Sequence, residues 1–371
     1  MLLINTGELT KPTIKKDFQV DRRQTSLITG VYEQMGADLL TPGGQELIYG
    51  REIITGITSA AKAMPLVCSN LPAGLFPGLV SHVVLEKGGK KILVASAIDQ
   101  RLEQKAIHGL TVLNPLPVLQ KILTTEPHDL AIIVLHFSDR KARELLAEIP
   151  GFDLAILATQ RGVITEPEKV GETYLVKNNN QGKTISYLDW DMTSRQPAAH
   201  GIFPVSKKDI VPDPAVDRQV SDYEEWLRRH YIELEQKAEE TQPDQQDSTY
   251  MGVQACAPCH QAIVGSWQLS RHAKAYASLE KKCKDYCPDC LPCHVTGKNN
   301  PQGGIGFLTP KKTPHLFNIQ CEQCHGSGHL HVTKPDLSYG TPIDEDTCVV
   351  CHTSQTDPDF SFIDDVKLIA H

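Results

Sequence analysis

The sequence predicts a layered α/β fold for residues 1 to about 200 and a mostly helical, loop-rich fold for the C-terminal end. Apolar runs at Ala131–Leu135 and Leu154–Leu157 have the length and composition of parallel strands that are buried on both faces. Between them, Ser138–Ile149 begins with a serine that can cap a helix and repeats apolar residues on one helical face. Ten of the eleven cysteines lie between Cys256 and Cys351, which sets the C-terminal end apart.

We divide the chain into residues 1–215, residues 216–249 and residues 250–371. The middle part is predicted to be helical from Gln219 to about Glu240, and Thr241–Ser248 is polar and unpatterned, as expected of a linker. The helix carries apolar side chains that we interpret as a packing stripe: Tyr223, Trp226, Leu227, Tyr231 and Leu234. The last part has few apolar runs, so its side chains alone are not expected to build a core.

One hairpin is predicted within residues 1–215. Thr173–Val176 and Thr184–Leu188 have strand composition and flank Asn178–Gly182, which is rich in turn-forming residues. Two such runs around a short turn are the usual signal of a β-hairpin.

Composition excludes two classes of function. The formal net charge of −8 argues against a nucleic-acid partner, which calls for a basic face. No apolar run reaches the roughly 18 residues that a membrane-spanning helix needs, so no transmembrane segment is predicted. Met1–Leu3 supply neither a basic region nor a long apolar core, so no signal sequence is predicted in this numbering.

The pentapeptide Cys-x-x-Cys-His occurs four times in residues 250–371. Its residues are Cys256, Cys259 and His260; Cys290, Cys293 and His294; Cys321, Cys324 and His325; and Cys348, Cys351 and His352. Two thiols at this spacing reach the two vinyl groups of one haem, and the adjacent imidazole becomes the proximal ligand of iron. Paired zinc knuckles also use Cys-x-x-Cys, but they do not require a histidine after each second cysteine. The sequence therefore predicts four covalently bound c-type haems.

Covalent haem attachment takes place outside the cytoplasm, so a periplasmic or extracellular location is predicted. The lack of a signal sequence then needs an explanation: either the numbering begins after processing, or the start of the reading frame is missing.

Cys283 and Cys287 belong to no haem motif. At a helical spacing they either form a disulfide, which an oxidising compartment favours, or remain free near the second haem. Cys68 is interpreted as a small buried hydrophobe.

Further residues around the haem motifs resemble the cytochrome c-554 family of tetrahaem electron carriers. In chain order they are Tyr250–Gly252, Trp267, Ser270–Ala273, Val295–Gly297, Gly326–Gly328, His331, Asp357–Phe360 and His371. The resemblance covers residues 250–371 and implies that distal iron ligands come from outside the motifs.

By this resemblance, His272 reaches the third haem, His331 returns to the first and His371 serves the fourth. His329 stands beside His331, and the two could exchange roles. The resemblance also implies that the second haem, on His294, lacks a strong sixth ligand. His315 is interpreted as a solvated loop residue, which leaves that position open or weakly held.

The first 200 residues resemble the metallophosphoesterase domain of 5′-nucleotidases, starting partway through it. The matching segments are Leu2–Glu8, Met35–Glu46, Ile132–His136 and Phe152–Arg161. In this family they end in metal-binding and catalytic motifs.

This sequence departs from that family at the positions of its catalytic and metal-binding residues. Gly44 replaces the bridging asparagine, Gln45 the catalytic histidine, and Thr159 and Arg161 the final two histidine ligands. Only two potential metal ligands are left, Glu8 and His136. A two-metal hydrolase must hold both ions to clamp the attacking and leaving oxygens. The sequence therefore predicts that the fold persists without hydrolase activity, as a scaffold that docks a redox partner or another copy.

The function predicted from the whole sequence is electron transfer between redox partner proteins, with no catalytic residues. One alternative is a haem enzyme that acts on a small nitrogen oxide or hydroxylamine at an open second haem. Another is a haem-bearing subunit that self-associates into a polymer or joins a larger complex.

Overall fold

The structure is a computed structural model of the 371-residue chain. It describes residues 1–10, 17–104, 109–158, 166–177, 184–205, 210–240, 249–298, 304–335, 338–340, 342–353 and 356–371. The chain divides into two compact units, Met1–Tyr223 and Glu224–His371, and the boundary falls within one helix. No helix among these residues is both long and apolar enough to cross a membrane.

Two sheets form the centre of the first unit. The first sheet is parallel and contains, in spatial order, β1 (Ile4–Asn5), β2 (Leu39–Leu40), β3 (Leu66–Val67) and β4 (Leu79–Val80). The second sheet is mixed and contains β5 (His82–Lys87), β6 (Lys90–Ile98), β7 (Leu130–His136), β8 (Leu154–Leu157), β10 (Thr173–Lys177) and β9 (Glu168–Val170), again in spatial order. The central strands β6, β7, β8 and β10 run parallel, and β5 and β9 pair antiparallel at the two edges.

Helices cover the outer faces of both sheets. They are α1 (Phe18–Gln34), α2 (Gly44–Tyr49), α3 (Arg51–Ala60), α4 (Pro115–Thr125) and α5 (Asp139–Glu148), with a short 3-10 helix at Gln100–Gln104. As predicted, α5 begins after Ser138 and buries Ala142, Leu145 and Leu146, although the Ser138 side chain makes no capping hydrogen bond.

Alternation along the strands sorts the core into layers. In β7, Ala131 and Ile133 pack with α4 and α5 on one face, whereas Leu130 and Ile132 pack on the other face against the first sheet. Successive strand residues point to opposite faces, so one buried strand serves two apolar layers. A third apolar cluster lies between the first sheet and α1 to α3. The first unit is therefore a four-layer α/β/β/α sandwich, and the predicted α/β fold class is confirmed.

The predicted hairpin around Asn178–Gly182 is wrong, and that turn lies outside the described residues. The strand β10 is buried beside β8 in the mixed sheet. Strand β11 (Thr184–Asp191) instead pairs antiparallel with β12 (Gln196–Pro204), as a separate two-stranded sheet. Burial separates the two strands. Nearly every side chain of β10 is buried, as expected inside the mixed sheet, whereas β11 alternates between half-buried and exposed residues, as expected of a strand with one solvent-facing side.

A long helix, α6 (Pro214–Glu239), contains the predicted aromatic stripe. Its aromatic side chains are half-buried; within the second unit, Tyr231 lies 6.0 Å from Tyr286, measured between ring centroids. The predicted linker Thr241–Ser248 lies outside the described residues.

Short helices and turns build the second unit, as predicted. The α-helices are α7 (Val253–Cys256), α8 (Gln261–Leu269), α9 (Ala275–Glu280), α10 (Cys321–His325), α11 (His329–Thr333), α12 (Glu345–Val349) and α13 (Phe362–Asp365). The 3-10 helices are His272–Lys274, Leu291–Cys293, Pro314–Leu316 and Val366–Leu368.

The expectation that side chains alone build no core in this unit needs correction. A small apolar cluster does form, and it contains Tyr250, Tyr276, Leu279, Leu291, Val295, Phe307 and Leu316. Tyr276 stacks on Phe317 with ring centroids 3.9 Å apart. The cluster consists of single residues from segments far apart in the sequence, so no apolar run in the sequence predicts it.

Candidate functional site

Each of the four motifs closes a single helical turn. In the first and fourth motifs, the amide of the histidine donates to the carbonyl of the first cysteine at 3.0 Å, in His260 and His352. The third motif forms the whole of α10. The second motif contains a 3-10 turn in which the amide of His294 donates to the carbonyl of Leu291 at 2.9 Å. Residues three and four apart share one face of such a turn. Both thiols and the imidazole of a motif can therefore serve one haem.

The motifs lie close together in two pairs. A hydrogen bond between side chains joins Cys256 of the first motif to Cys321 of the third, and it lowers the pKa of Cys321. A second such bond joins Cys293 of the second motif to Cys351 of the fourth, and it lowers the pKa of Cys293. The first and third motifs are therefore neighbours, as are the second and fourth.

Three motif histidines each face one histidine from outside the motifs. The ring centroids are 6.3 Å apart for His260 and His331, 6.2 Å for His352 and His272, and 5.8 Å for His325 and His371. An iron ion bound by two imidazoles separates the ring centres by about 6 Å, because each nitrogen lies about 2 Å from the metal and about 1 Å from its ring centre. These three pairs fit haem iron with two axial histidines.

The pairing differs in part from what the family resemblance implies. His331 faces the first motif, as expected. However, His272 faces His352 of the fourth motif and His371 faces His325 of the third, so their two assignments are exchanged. The backbone accounts for part of this: the amide of Ile319 donates to the carbonyl of His272 at 3.2 Å and fixes where the His272 turn lies.

Two further observations concern these distal histidines. Burial, followed by the charge of His352, lowers the pKa of His272. This favours the neutral imidazole that a metal ligand must present. His329 is exposed, whereas His331 is half-buried beside His260, so the structure favours His331 over its neighbour.

Hydrogen bonds at Nδ1 orient three of these rings. His294 donates from Nδ1 to the carbonyl of Ala275 at 2.7 Å, and His371 to the carbonyl of Ile369 at 3.1 Å. His352 lies with Nδ1 2.8 Å from a carboxylate oxygen of Asp357. Such bonds select the tautomer whose Nε2 is free to bind metal.

One buried carboxylate that the sequence analysis missed connects the first and third motifs. Glu322, the second residue of the third motif, accepts hydrogen bonds from the amides of Met251 at 3.0 Å, Gly252 at 2.7 Å and Gly328 at 2.8 Å. Gly328 immediately precedes α11, which contains His331. A signal was available in the sequence, since no other motif has an acidic residue between its cysteines.

Cys283 and Cys287, the two cysteines near the second motif that belong to no haem motif, do not form the disulfide that the sequence analysis favours. Cys283 and Cys287 are both free, the segment is formed of turns rather than a helix, and Cys287 instead hydrogen-bonds with Cys290. Cys68 is buried as predicted, and burial raises its pKa to about 12. His315 lies beside Gly252, and its carbonyl accepts from the side chain of Gln320 at 2.8 Å.

Four residues of the first unit that the sequence analysis singled out lie together in one cavity. Glu8, Gly44, Gln45 and His136 line a space of about 220 Å³, together with Ile48, Leu102, Phe137 and Ala158. Glu8 accepts from the amide of Gly44 at 2.8 Å, and Thr41 Oγ1 lies 3.0 Å from Nε2 of His136. Burial lowers the pKa of His136 to about 4. Thr159 and Arg161 lie outside the described residues.

Two features hold the loop that carries Glu8. Gly7 has a φ of +74°, and a Cβ there would lie 2.4 Å from the carbonyl oxygen of Thr41, so only glycine fits this approach. The buried carboxylate of Glu46 accepts from the amides of Glu8 at 3.2 Å and Thr10 at 3.0 Å, and burial raises its pKa to about 7.

Among the described residues, no group of three or more His, Cys, Asp or Glu side chains is placed to hold a metal ion.

Comparison with known families decides the class of the C-terminal segment. A family model described as cytochrome c554 and c-prime matches residues 255–326, which include the first three motifs. The matched segment is a c-type cytochrome. This family implies covalently bound c-type haem with its iron as the cofactor. We call residues 250–371 the cytochrome segment.

A curated relative supports the same assignment. Cytochrome c-554 from Nitrosomonas europaea is 38% identical to the chain over 97 aligned residues, which cover 22% of this chain and 40% of that protein. The chain therefore spans well under half the length of this relative. The fourth motif of the cytochrome segment, Cys348–His352, lies beyond the family match.

The first unit is similar in fold to a solved sulfate thiohydrolase. The sulfate thiohydrolase SoxB of Thermus thermophilus superposes with a TM-score of 0.51 at 14% identity, covering 60% of this chain and 42% of that chain. A putative 5′-nucleotidase from Staphylococcus aureus superposes with a TM-score of 0.48 at 15% identity, covering 61% and 50%. At this identity, the likeness to SoxB shows the fold and nothing of its activity.

Proposed function

We propose that the cytochrome segment binds four c-type haems and transfers electrons between redox partner proteins outside the cytoplasm. The observation that carries this proposal is the set of three imidazole pairs, His260 with His331, His352 with His272 and His325 with His371. A bound haem supplies an iron that alternates between two oxidation states. An iron with two imidazole ligands has no open position for substrate, which suits electron transfer.

The positions of the cysteines support this function. The first and third motifs are neighbours through Cys256 and Cys321, and the second and fourth through Cys293 and Cys351. The sulfurs that attach the haems therefore lie next to one another in pairs. Haems attached this way would lie close enough to exchange electrons directly.

The first unit is proposed to be a scaffold without hydrolase activity. Its cavity brings Glu8 and His136 together, but glycine and glutamine stand at positions 44 and 45, where the phosphoesterase family has an asparagine and a histidine. The Nε2 atom of His136 already has a partner, because Thr41 Oγ1 lies 3.0 Å from it. Two candidate ligands cannot hold two metal ions a few ångströms apart.

A second function is favoured by one observation at the second motif. Among the residues that the structure describes, no imidazole stacks with or faces His294, although its Nδ1 bond to Ala275 leaves Nε2 free for iron. A second haem with an open sixth position would admit a small ligand, such as a nitrogen oxide or hydroxylamine. Axial ligation decides between the two functions, because an open position permits chemistry at the iron.

The test uses the full chain expressed with haem attachment. Intact mass should show four haem additions, and electron paramagnetic resonance of the oxidised protein should show three low-spin haems and one high-spin haem. Changing His331, His272 or His371 to alanine should each convert one further haem to high spin. Fewer than four additions, or spectra unchanged in all three variants, would refute the proposal. Four low-spin haems in the unmodified protein, with one becoming high-spin in His315→Ala, would remove the enzyme alternative.

A further inference from the structure

The segment that follows the fourth motif packs against the histidine of that motif. Asp357 accepts a hydrogen bond from Nδ1 of His352 at 2.8 Å. Phe360 stacks on the same imidazole, with ring centroids 4.6 Å apart and planes inclined by 22°. His272 approaches the ring as well, at 6.2 Å. Asp357 and Phe360 thus fix both the tautomer and the orientation of His352.

The backbone places Asp357 for this contact. Its amide donates to the carbonyl of Thr353 at 2.8 Å, and the hydroxyl of Thr356 donates to the carbonyl of Cys351 at 2.6 Å. The amide of Phe360 in turn donates to the carbonyl of Asp357 at 3.3 Å. The turn is therefore anchored on the motif itself, so the carboxylate is positioned by the same residues that attach the haem.

The partner of His352 differs in charge from those of two other histidines in the cytochrome segment. His294 and His371 donate from Nδ1 to neutral backbone carbonyls, whereas His352 donates to a carboxylate. A hydrogen bond to an anion is stronger than one to a neutral acceptor. It also raises the basicity of the imidazole as a metal ligand.

We propose that Asp357 is a positioning residue that lowers the reduction potential of the fourth haem through His352. This inference rests on the proposed function, because it requires a haem on Cys348 and Cys351 with His352 as its ligand. The carboxylate draws the Nδ1 proton towards itself and increases the electron density at Nε2. A more basic ligand stabilises ferric over ferrous iron, which moves the potential in the negative direction.

The chain offers a matched control for simple charge. Asp359 is two residues away, is exposed, and makes no hydrogen bond or ion pair with His352, while the side chain of Asp357 is 43% exposed. Replacing either aspartate by asparagine removes one negative charge from the same loop. The Asp359 variant therefore measures how much of any shift comes from removing one solvent-screened charge from this loop without touching the hydrogen bond to His352.

The test compares Asp357→Asn, Asp359→Asn and Asp357→Glu in the full chain by spectroelectrochemical titration. In Asp357→Asn, one haem of four should shift to a more positive potential, and it should be the haem that His272→Met also alters. Asp359→Asn should leave all four potentials in place, and Asp357→Glu, which keeps the anion, should restore much of the original value. The bands of the fourth haem should remain low-spin throughout.

Two outcomes would overturn the inference. One is an unchanged titration in Asp357→Asn, and the other is an equal shift in Asp359→Asn. Haem count by intact mass, measured on every variant, separates these from failure of the proposed function. A missing fourth haem in the unmodified protein would refute the tetrahaem proposal, whereas four haems with no specific shift would refute only the role of Asp357.

Discussion

The two units of this chain are stabilised in different ways. The first unit buries three apolar clusters between its helices and sheets, and strands such as β7 contribute to two of them. The second unit has one small apolar cluster, and its motifs are linked by buried polar groups such as Glu322. Burial of apolar surface is the main stabilising contribution in soluble proteins. From this comparison we expect the first unit to fold on its own side chains and the second to depend on its cofactor.

The largest effect should come from withholding the haems. In the full chain expressed without haem attachment, we expect hydrogen exchange to be fast throughout residues 250–371 and unchanged in residues 1–215. The physical reason is that haem macrocycles supply apolar surface that the second unit cannot replace. Segment-resolved hydrogen exchange with mass spectrometry measures this directly.

The reciprocal variant is Cys68→Ala, which removes a fully buried thiol from the first unit. It should speed exchange in the first unit and leave residues 250–371 of the haem-loaded protein unchanged. Protection that survives in the second unit of the haem-free chain would contradict the comparison, because the small apolar cluster would then suffice.

An intermediate effect is expected at Glu322. The variant Glu322→Gln keeps the side-chain size but removes the charge and one acceptor, and it directs an amide group towards a backbone N–H. Leaving a buried donor unsatisfied costs about 1–3 kcal/mol. The second unit should lose that much stability in urea unfolding followed by haem absorbance, and the amides of Met251, Gly252 and Gly328 should exchange faster.

The control for this variant is Glu345→Gln. Glu345 is an exposed carboxylate in the first turn of α12, where a change of charge has a small effect. Equal losses in the two variants would mean that the hydrogen bonds of Glu322 do not stabilise the unit.

Sequence reasoning succeeded where a single segment determines its own structure. The runs that form β7 and β8 are apolar at nearly every position, and such runs are buried wherever they pair. The amphipathic helix α5 and the buried Cys68 follow from equally local patterns. The helical turn that each Cys-x-x-Cys-His motif closes is local too, since five consecutive residues form it.

Sequence reasoning failed where a strand or side chain pairs with a partner from a distant segment. The composition of β10 and β11 identifies both as strands but does not determine which strand each one pairs with. His272 and His371 were both predicted as distal ligands, yet their partners are exchanged because tertiary contacts decide them. The contacts of Glu322 likewise join segments about 70 residues apart.

The smallest effect concerns the pH dependence of the first unit, where two buried groups have opposite pKa shifts. Burial and the charge of Glu8 raise the pKa of Glu46 from 4.5 to about 7, and burial lowers the pKa of His136 from 6.5 to about 4. Folded Glu46 retains a proton that the unfolded chain has released, so its contribution to stability falls as pH rises from 4.5 to 7. Folded His136 lacks a proton that the unfolded chain holds, so its contribution rises from pH 4 to 6.5.

Between pH 5 and 6 the two contributions oppose each other, and each amounts to about 1.4 kcal/mol per pH unit. In Glu46→Gln only the His136 contribution remains, so the unfolding free energy of the first unit should rise with pH, by up to about 1.4 kcal/mol per unit more than in the unmodified protein. Urea unfolding at several pH values, followed by a probe in the first unit, measures the slope. The slope is informative even if the variant is less stable overall, because lost hydrogen bonds of Glu46 shift every point alike. Glu52→Gln, an exposed carboxylate on α3, should keep the original slope. An identical slope in Glu46→Gln would mean that this carboxyl group ionises in the folded protein as readily as in the unfolded chain.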